Sequence, residues 1–172
     1  MIENVKKLFA YNWSDVIANL KSSDKAIEVP EDVAKSIKTG FTLSFIYAGI
    51  VSVIPVLSII VIVIFAGTQG FAAAAAILIG AVITFGISFA ILYFLMKFLT
   101  EGKERTAIRY IVVLVLCALG ILMSVLSIIS SLGTIGRTPT TFLGNLVGLA
   151  VSFLAYANVA VGCIDFCFEV NK

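Results

Sequence analysis

Histidine is absent from the 172 residues, and only 13% of them are charged. Without histidine the commonest general base and the commonest nitrogen ligand for zinc are missing, which excludes H-E-x-x-H metalloprotease chemistry and histidine-based triads. The few charges are also segregated. None falls between Lys38 and Lys97, between Arg109 and Arg137, or between Arg137 and Asp165. The apolar stretches in those gaps therefore hold no ionisable group of the kind a proton or cation relay needs, each of which costs about 2.5–3.5 kcal/mol at the centre of a span. No serine or aspartyl nucleophile can be given a paired base there, and the Gly-rich Lys/Ser pattern of a phosphate loop is missing.

Cysteine is scarce as well. Cys117, Cys163 and Cys167 are too few for a disulfide framework. Cys163 and Cys167 share a helix face at i, i+4, but two thiolates alone do not complete a tetrahedral zinc site, and the three read as small apolar residues. The sequence therefore predicts no catalytic residue, no cofactor site and no metal site.

What is abundant is apolar surface: 60% of the residues are hydrophobic and the mean hydropathy is +1.12, against about 45–50% apolar and about 25% charged in ordinary soluble domains. A span needs about 20 apolar residues. Four stretches qualify, at 43–65, 71–96, 110–129 and 142–164, divided by "AGTQG", "KFLTEGKERTAIR" and "SSLGTIGRTPTT". The expectation is an all-α integral membrane protein: four transmembrane helices in a crossed bundle over residues 41–172, preceded by a cytoplasmic arm, 1–40, that carries an amphipathic helix. Almost forty residues rich in charge precede the first apolar run, so no cleavable signal is readable and the first span acts as an uncleaved insertion signal.

Orientation follows from the basic residues. Lys6, Lys7, Lys21, Lys25, Lys35, Lys38, Lys97, Lys103, Arg105, Arg109 and Lys172 fall on one side and only Arg137 on the other. This predicts both termini and the central loop in the cytoplasm and a plasma-membrane location. Aromatic residues mark the same borders: Phe65, Phe71 and Phe142 at the outer edge, Tyr93, Phe98, Tyr110, Phe166 and Phe168 at the inner one. The net charge of +2 is spread over segment ends rather than gathered in a patch, so no nucleic-acid partner is expected.

In the arm, Ile2, Val5, Phe9, Trp13, Val16 and Leu20 recur at spacings of three and four, one stripe of a helix, with Lys6, Lys7, Asn12, Asp15 and Lys21 off it. Such a helix either lies in the headgroup layer or packs on the cytoplasmic ends of the spans. "SSDK" reads as a turn. "PEDVAKSIK" restarts a helix with Pro30 at its first position, and Gly40 marks a bend into the membrane.

Small residues recur at every fourth position: Gly40, Ser44, Ala48 and Ser52 in the first span; Ala72, Ala76, Gly80, Thr84 and Ser88 in the second; Gly144, Gly148 and Ser152 in the fourth; Gly120 with Ser124, and Ser127 with Ser131, in the third. In lipid, helices associate where small residues admit a neighbouring backbone, and such rows favour crossings near −40°, about the right-handed value. The ladders are expected to serve packing within the bundle, with the docking of a partner by the ladder of the second span as the lesser reading. Pro55 removes one backbone hydrogen bond in the first span and reads as a kink or a hinge, with Ser52 and Ser58 placed to satisfy the loosened turn. Ser52, Ser88 and Asn158, with Tyr156 nearby, form a candidate polar cluster, read as a tie between helices or as a site for a small polar solute or lipid headgroup. Asp165 and Glu169 are expected to meet Arg105 or Arg109.

Two functions remain in play. The first is a non-enzymatic accessory, regulatory or immunity-type subunit of a membrane assembly, whose partners are the lipid bilayer and a larger membrane protein or a second copy. The second is a small transporter or pore for a neutral or lipid-like solute, with Pro55 as hinge and Asn158 as ligand. Short clusters of Ser, Thr and Asn amid Ala and Gly, rather than a continuous polar stripe, favour the first.

Overall fold

A computed structural model describes residues 2–20, 25–102, 104–133 and 139–172. The turn expected at "SSDK", the lone outer cation Arg137 and the basic residues Lys21 and Lys103 lie largely or wholly outside them. The fold is all-helical: α1 (Ile2–Ala10), α2 (Trp13–Asn19), α3 (Glu31–Ala66), α4 (Phe71–Thr100), α5 (Ala107–Leu132) and α6 (Pro139–Val170). Of these, α3 to α6 are long and apolar enough to cross a membrane.

The arm departs from the single helix expected over 2–20. Asn12 interrupts it: its backbone is extended, and its side-chain oxygen accepts from the Ser14 amide at the start of α2. A short amide side chain that offers the backbone a partner favours a cap over a helix interior.

At α3 the expected juxtamembrane helix and first span are one element, which runs unbroken through Gly40 and Pro55. Pro30 stands just before the helix, its carbonyl accepting from the Ala34 amide. Glu31 and Asp32 occupy the first turn, where the helix dipole favours acids. The serines flanking Pro55 do not take up the carbonyl its ring leaves without a donor. Ser52 donates to the Gly49 carbonyl and Ser58 to that of Ile54.

The chain forms two compact units. One, residues 45–95, is a helical hairpin made of the later part of α3 and most of α4. It turns at a 3-10 segment, Gly67–Gly70, that begins with Gly67 at φ +54°, a conformation other residues rarely adopt. Phe45 and Phe89 stack across it with centroids 5.7 Å apart.

The other unit, residues 1–44 and 96–172, is built around the C-terminal half of α6. Ala155, Ala157, Val159, Val161, Cys163, Ile164, Phe166, Cys167 and Val170 are all buried. Helix α5 packs along α6, and the Tyr110 ring stacks on Phe166 with centroids 3.8 Å apart while its hydroxyl donates to the Leu99 carbonyl at 2.6 Å. Tyr110 and Phe166 are thus interior side chains, because each ring covers the other and the phenol finds its partner inside the protein.

At the end of α4, the Arg105 guanidinium donates to the carbonyl of Phe98 in the last turn and to that of Glu101 just past it, which gives partners to acceptors that the helix end leaves free. Gly102, at φ +117°, lets the chain turn back. An antiparallel bridge between Ile27 and Arg105 fastens this loop to the segment that leads into α3.

Candidate functional site

The polar groups that converge in the structure lie along one end of α6. Asn158 is fully buried. Its amide nitrogen donates to the Leu154 carbonyl at 2.7 Å, and its side-chain oxygen accepts from the Asn4 amide at 2.9 Å. Asn4 also donates to the Ser36 hydroxyl at 3.2 Å, so a single side chain of α1 links α3 and α6. Two turns on, Asp165 accepts from the Lys7 ammonium and from the Tyr11 hydroxyl, both at 2.6 Å. Tyr11 stacks on Phe168 with centroids 6.2 Å apart. Asn171 ties the end of α6 to the Asn19 carbonyl at the end of α2.

Asn4 and Lys7 share one face of α1, and Tyr11, one residue past its end and still donating its amide to the Lys7 carbonyl, continues the spacing of three and four. That face docks on α6. The apolar stripe predicted from the sequence is turned elsewhere over most of its length: Ile2 and Phe9 are 65% and 72% exposed, Trp13 about half, and among its members Val16 is the one deeply buried. The arm therefore holds to α6 through polar groups and leaves much of its apolar surface uncovered. Phe9 keeps one contact with α6, its ring 6.3 Å from that of Phe153.

Electrostatics follow from this geometry. Burial, with the hydrogen bond to Asp165 and that residue's charge adding to it, pushes the Tyr11 phenol well above its ordinary pKa, so it stays a donor. A cavity of about 380 Å³ beside the cluster is lined by Lys7, Tyr11, Asp32, Asp165, Phe168 and Lys172. Asp165 does not meet an arginine, as the sequence had suggested, because Lys7 and Tyr11 reach it first. Glu169 pairs with Lys172 at 2.5 Å, and Arg109 lies over the Phe98 ring at 4.7 Å.

The hydrogen bonds of the three-residue cluster read from the sequence go to other partners. Ser52 and Ser88 each donate to a carbonyl of their own helix, those of Gly49 and Thr84, while Asn158 pairs with Asn4. Tyr156 lies against Gly120, where an added Cβ would fall 2.9 Å from its hydroxyl oxygen.

The small-residue positions differ sharply among themselves. A Cβ on Gly40 would stand 2.5 Å from the Ala155 carbonyl oxygen and 2.6 Å from Val159. At Gly162, a position no ladder included, it would meet Ile37 at 2.6 Å and the Val33 carbonyl at 3.2 Å. Ser44 donates to the Gly40 carbonyl, and Ala48 and Ser152 are half-buried while Gly148 is buried. A Cβ on Gly80 or Gly144 would meet nothing within 4 Å, and Ala72, Ala76 and Thr84 are exposed. The cysteines are unpaired and buried, and no group that could hold a metal ion occurs among the described residues.

Asn4, Ser36 and Tyr11 carry the docking of the arm, and sequence patterning passed over all three. The signal for Asn4 and Tyr11 was the polar spacing that runs through Asn4, Lys7 and Tyr11, as regular as the apolar one but read as a solvated face, and Ser36 in α3 had no such signal. Comparison with protein families, with curated proteins and with solved structures found no match for this chain.

Proposed function

We propose that this chain is a non-enzymatic, multi-pass plasma-membrane protein that acts through contacts, as an accessory, regulatory or immunity-type subunit of a membrane assembly. The observation that carries the reading is the open ladder of α4. Ala72, Ala76, Gly80 and Thr84 leave a shallow groove with room for a neighbouring helix. Small residues of this kind allow helices to approach closely in lipid, where no hydrophobic drive separates protein from lipid contact. The partner is a larger membrane protein or a second copy of the chain, packed at a crossed angle.

Both termini and the loop after α4 lie in the cytoplasm, in keeping with the bias of basic residues. The arm is an amphipathic element at that surface: Asn4, Lys7 and Tyr11 hold it to α6, and Ile2, Phe9 and Trp13 meet the headgroup layer. The alternative, a conduit with Asn158 as ligand, is less well supported, since both polar atoms of that amide already have protein partners.

Affinity purification in mild detergent, with wild type beside Gly80→Leu, tests the proposal. A membrane partner should co-elute with the wild type and fall at least about tenfold in the variant, a change of about 1.4 kcal/mol, at an unchanged melting temperature. Equal recovery from both would remove the groove from the interface.

A further inference from the structure

Among the described residues, one face of α3 near its start has no protein neighbour to match its chemistry. Val33, Ile37 and Phe41 are buried, and Ile37 and Gly40 lie against α6 at Gly162 and Ala155. The opposite face lines a groove of about 430 Å³ with Glu31, Lys35, Lys38, Thr39, Thr42 and Leu43. These positions repeat at three- and four-residue spacing, so they form one stripe about 18 Å long at 1.5 Å per residue.

The stripe is ordered by chemistry along the helix. Leu43 opens the long apolar run, Thr42 and Thr39 follow towards the N-terminus, then Lys38 and Lys35, and last Glu31. Both lysines are exposed, and among the described residues neither has an anionic partner. Lys35 and Lys38 are like charges one turn apart, and Glu31, four residues before Lys35, offsets them only in part. The Thr39 hydroxyl is spent on the Lys35 carbonyl at 2.8 Å, whereas Thr42 makes no hydrogen bond among the described residues and can donate outward.

The geometry points to a binding site for one phospholipid with an amine-bearing headgroup, of the phosphatidylethanolamine type, in the leaflet nearest the N-terminus. Its acyl chains run along α3 from Leu43, its ester region faces Thr42, its phosphate sits between Lys38 and Lys35, and its ammonium meets Glu31. Lys35 and Glu31 are four residues apart, about 6 Å along the helix, a spacing on the scale of the two-carbon link between phosphate and amine. The site needs α3 to span the membrane but does not depend on the partner proposed for α4.

The test uses the full chain in phosphatidylcholine nanodiscs doped with either phosphatidylethanolamine or phosphatidylglycerol, with bound lipid read by native mass spectrometry. The wild type should retain phosphatidylethanolamine in preference to phosphatidylglycerol. Lys35→Ala with Lys38→Ala should weaken that retention at least about tenfold, a change of about 1.4 kcal/mol, while Lys6→Ala leaves it unchanged. Glu31→Gln should abolish the preference between the two lipids and keep the binding. The variants change exposed side chains, so an unaltered melting temperature shows that the fold is intact. Equal retention of both lipids by the wild type, equal loss with Lys6→Ala, or binding of soluble phosphoethanolamine as tight as that of the lipid would each overturn the assignment.

Discussion

Gly40 and Gly80 each belong to a ladder of small residues at every fourth position, yet their surroundings are opposite. Gly40 faces a backbone carbonyl of α6 so closely that no side chain fits, while Gly80 faces open space. A row of small residues allows close approach without saying what approaches. The first glycine serves the fold of this chain. The second is free to serve an interface, and the same sequence signature covers both.

The largest effect expected from this contrast is at the closed positions. Gly40→Leu or Gly162→Leu drives a side chain into backbone or into Ile37, and overpacking of this kind costs about 1–3 kcal/mol or more. Each variant should yield little monodisperse protein in mild detergent, whereas Gly80→Leu and Gly144→Leu should purify and melt like the wild type. Size-exclusion profiles of the four variants decide it, and equal damage at Gly40 and Gly80 would dissolve the comparison.

A smaller effect sharpens the same distinction within the polar cluster. Asn4→Ala leaves the buried Asn158 oxygen without its donor, and an unsatisfied buried polar group costs about 1–3 kcal/mol. Asn158→Ala leaves Asn4 its bond to Ser36, so the loss should stay near the bundle average of about 0.6 kcal/mol. Melting temperatures should therefore fall further for Asn4→Ala than for Asn158→Ala. The reverse order would mean that Asn158 does more than receive the arm.

The smallest effect is in pH. The folded state raises the Tyr11 pKa above the ordinary 10.0, so its contribution is fully present below 10.0 and fades as pH rises beyond it, when the unfolded phenol ionises first. Tyr11→Phe lacks the hydrogen bond at every pH but cannot titrate. The gap in melting temperature between wild type and Tyr11→Phe should be constant up to that pH and shrink above it; a gap that widens would contradict the sign.

Much of the fold was legible in the sequence. The number of long helices and the breaks between them follow from the lengths of apolar runs and from glycine at the turns, as at Gly67. The site was far less legible. The periodicity of α1 announced two stripes, and burial of the apolar one was the natural expectation for a helix against protein. Instead Asn4, Lys7 and Tyr11 turn inward, because Ser36, Asn158 and Asp165 offer them hydrogen-bond and charge partners on α3 and α6. Asp165 shows the same limit: Arg105 and Arg109 were the expected partners, and the path of the arm decided for Lys7.

By itself the sequence determined the helical class, the four apolar helices long enough to span a membrane, and the segregation of charge to their ends. These depend on composition along a short stretch of chain and on hydrogen bonds that a helix satisfies within itself. Only the tertiary structure decided which glycines are closed, which face of α1 docks, that Tyr110 stacks on Phe166 and that Arg105 caps α4. All but the last pair residues distant in the chain, and in each case several partners of equal chemistry compete and the backbone path alone brings one within reach.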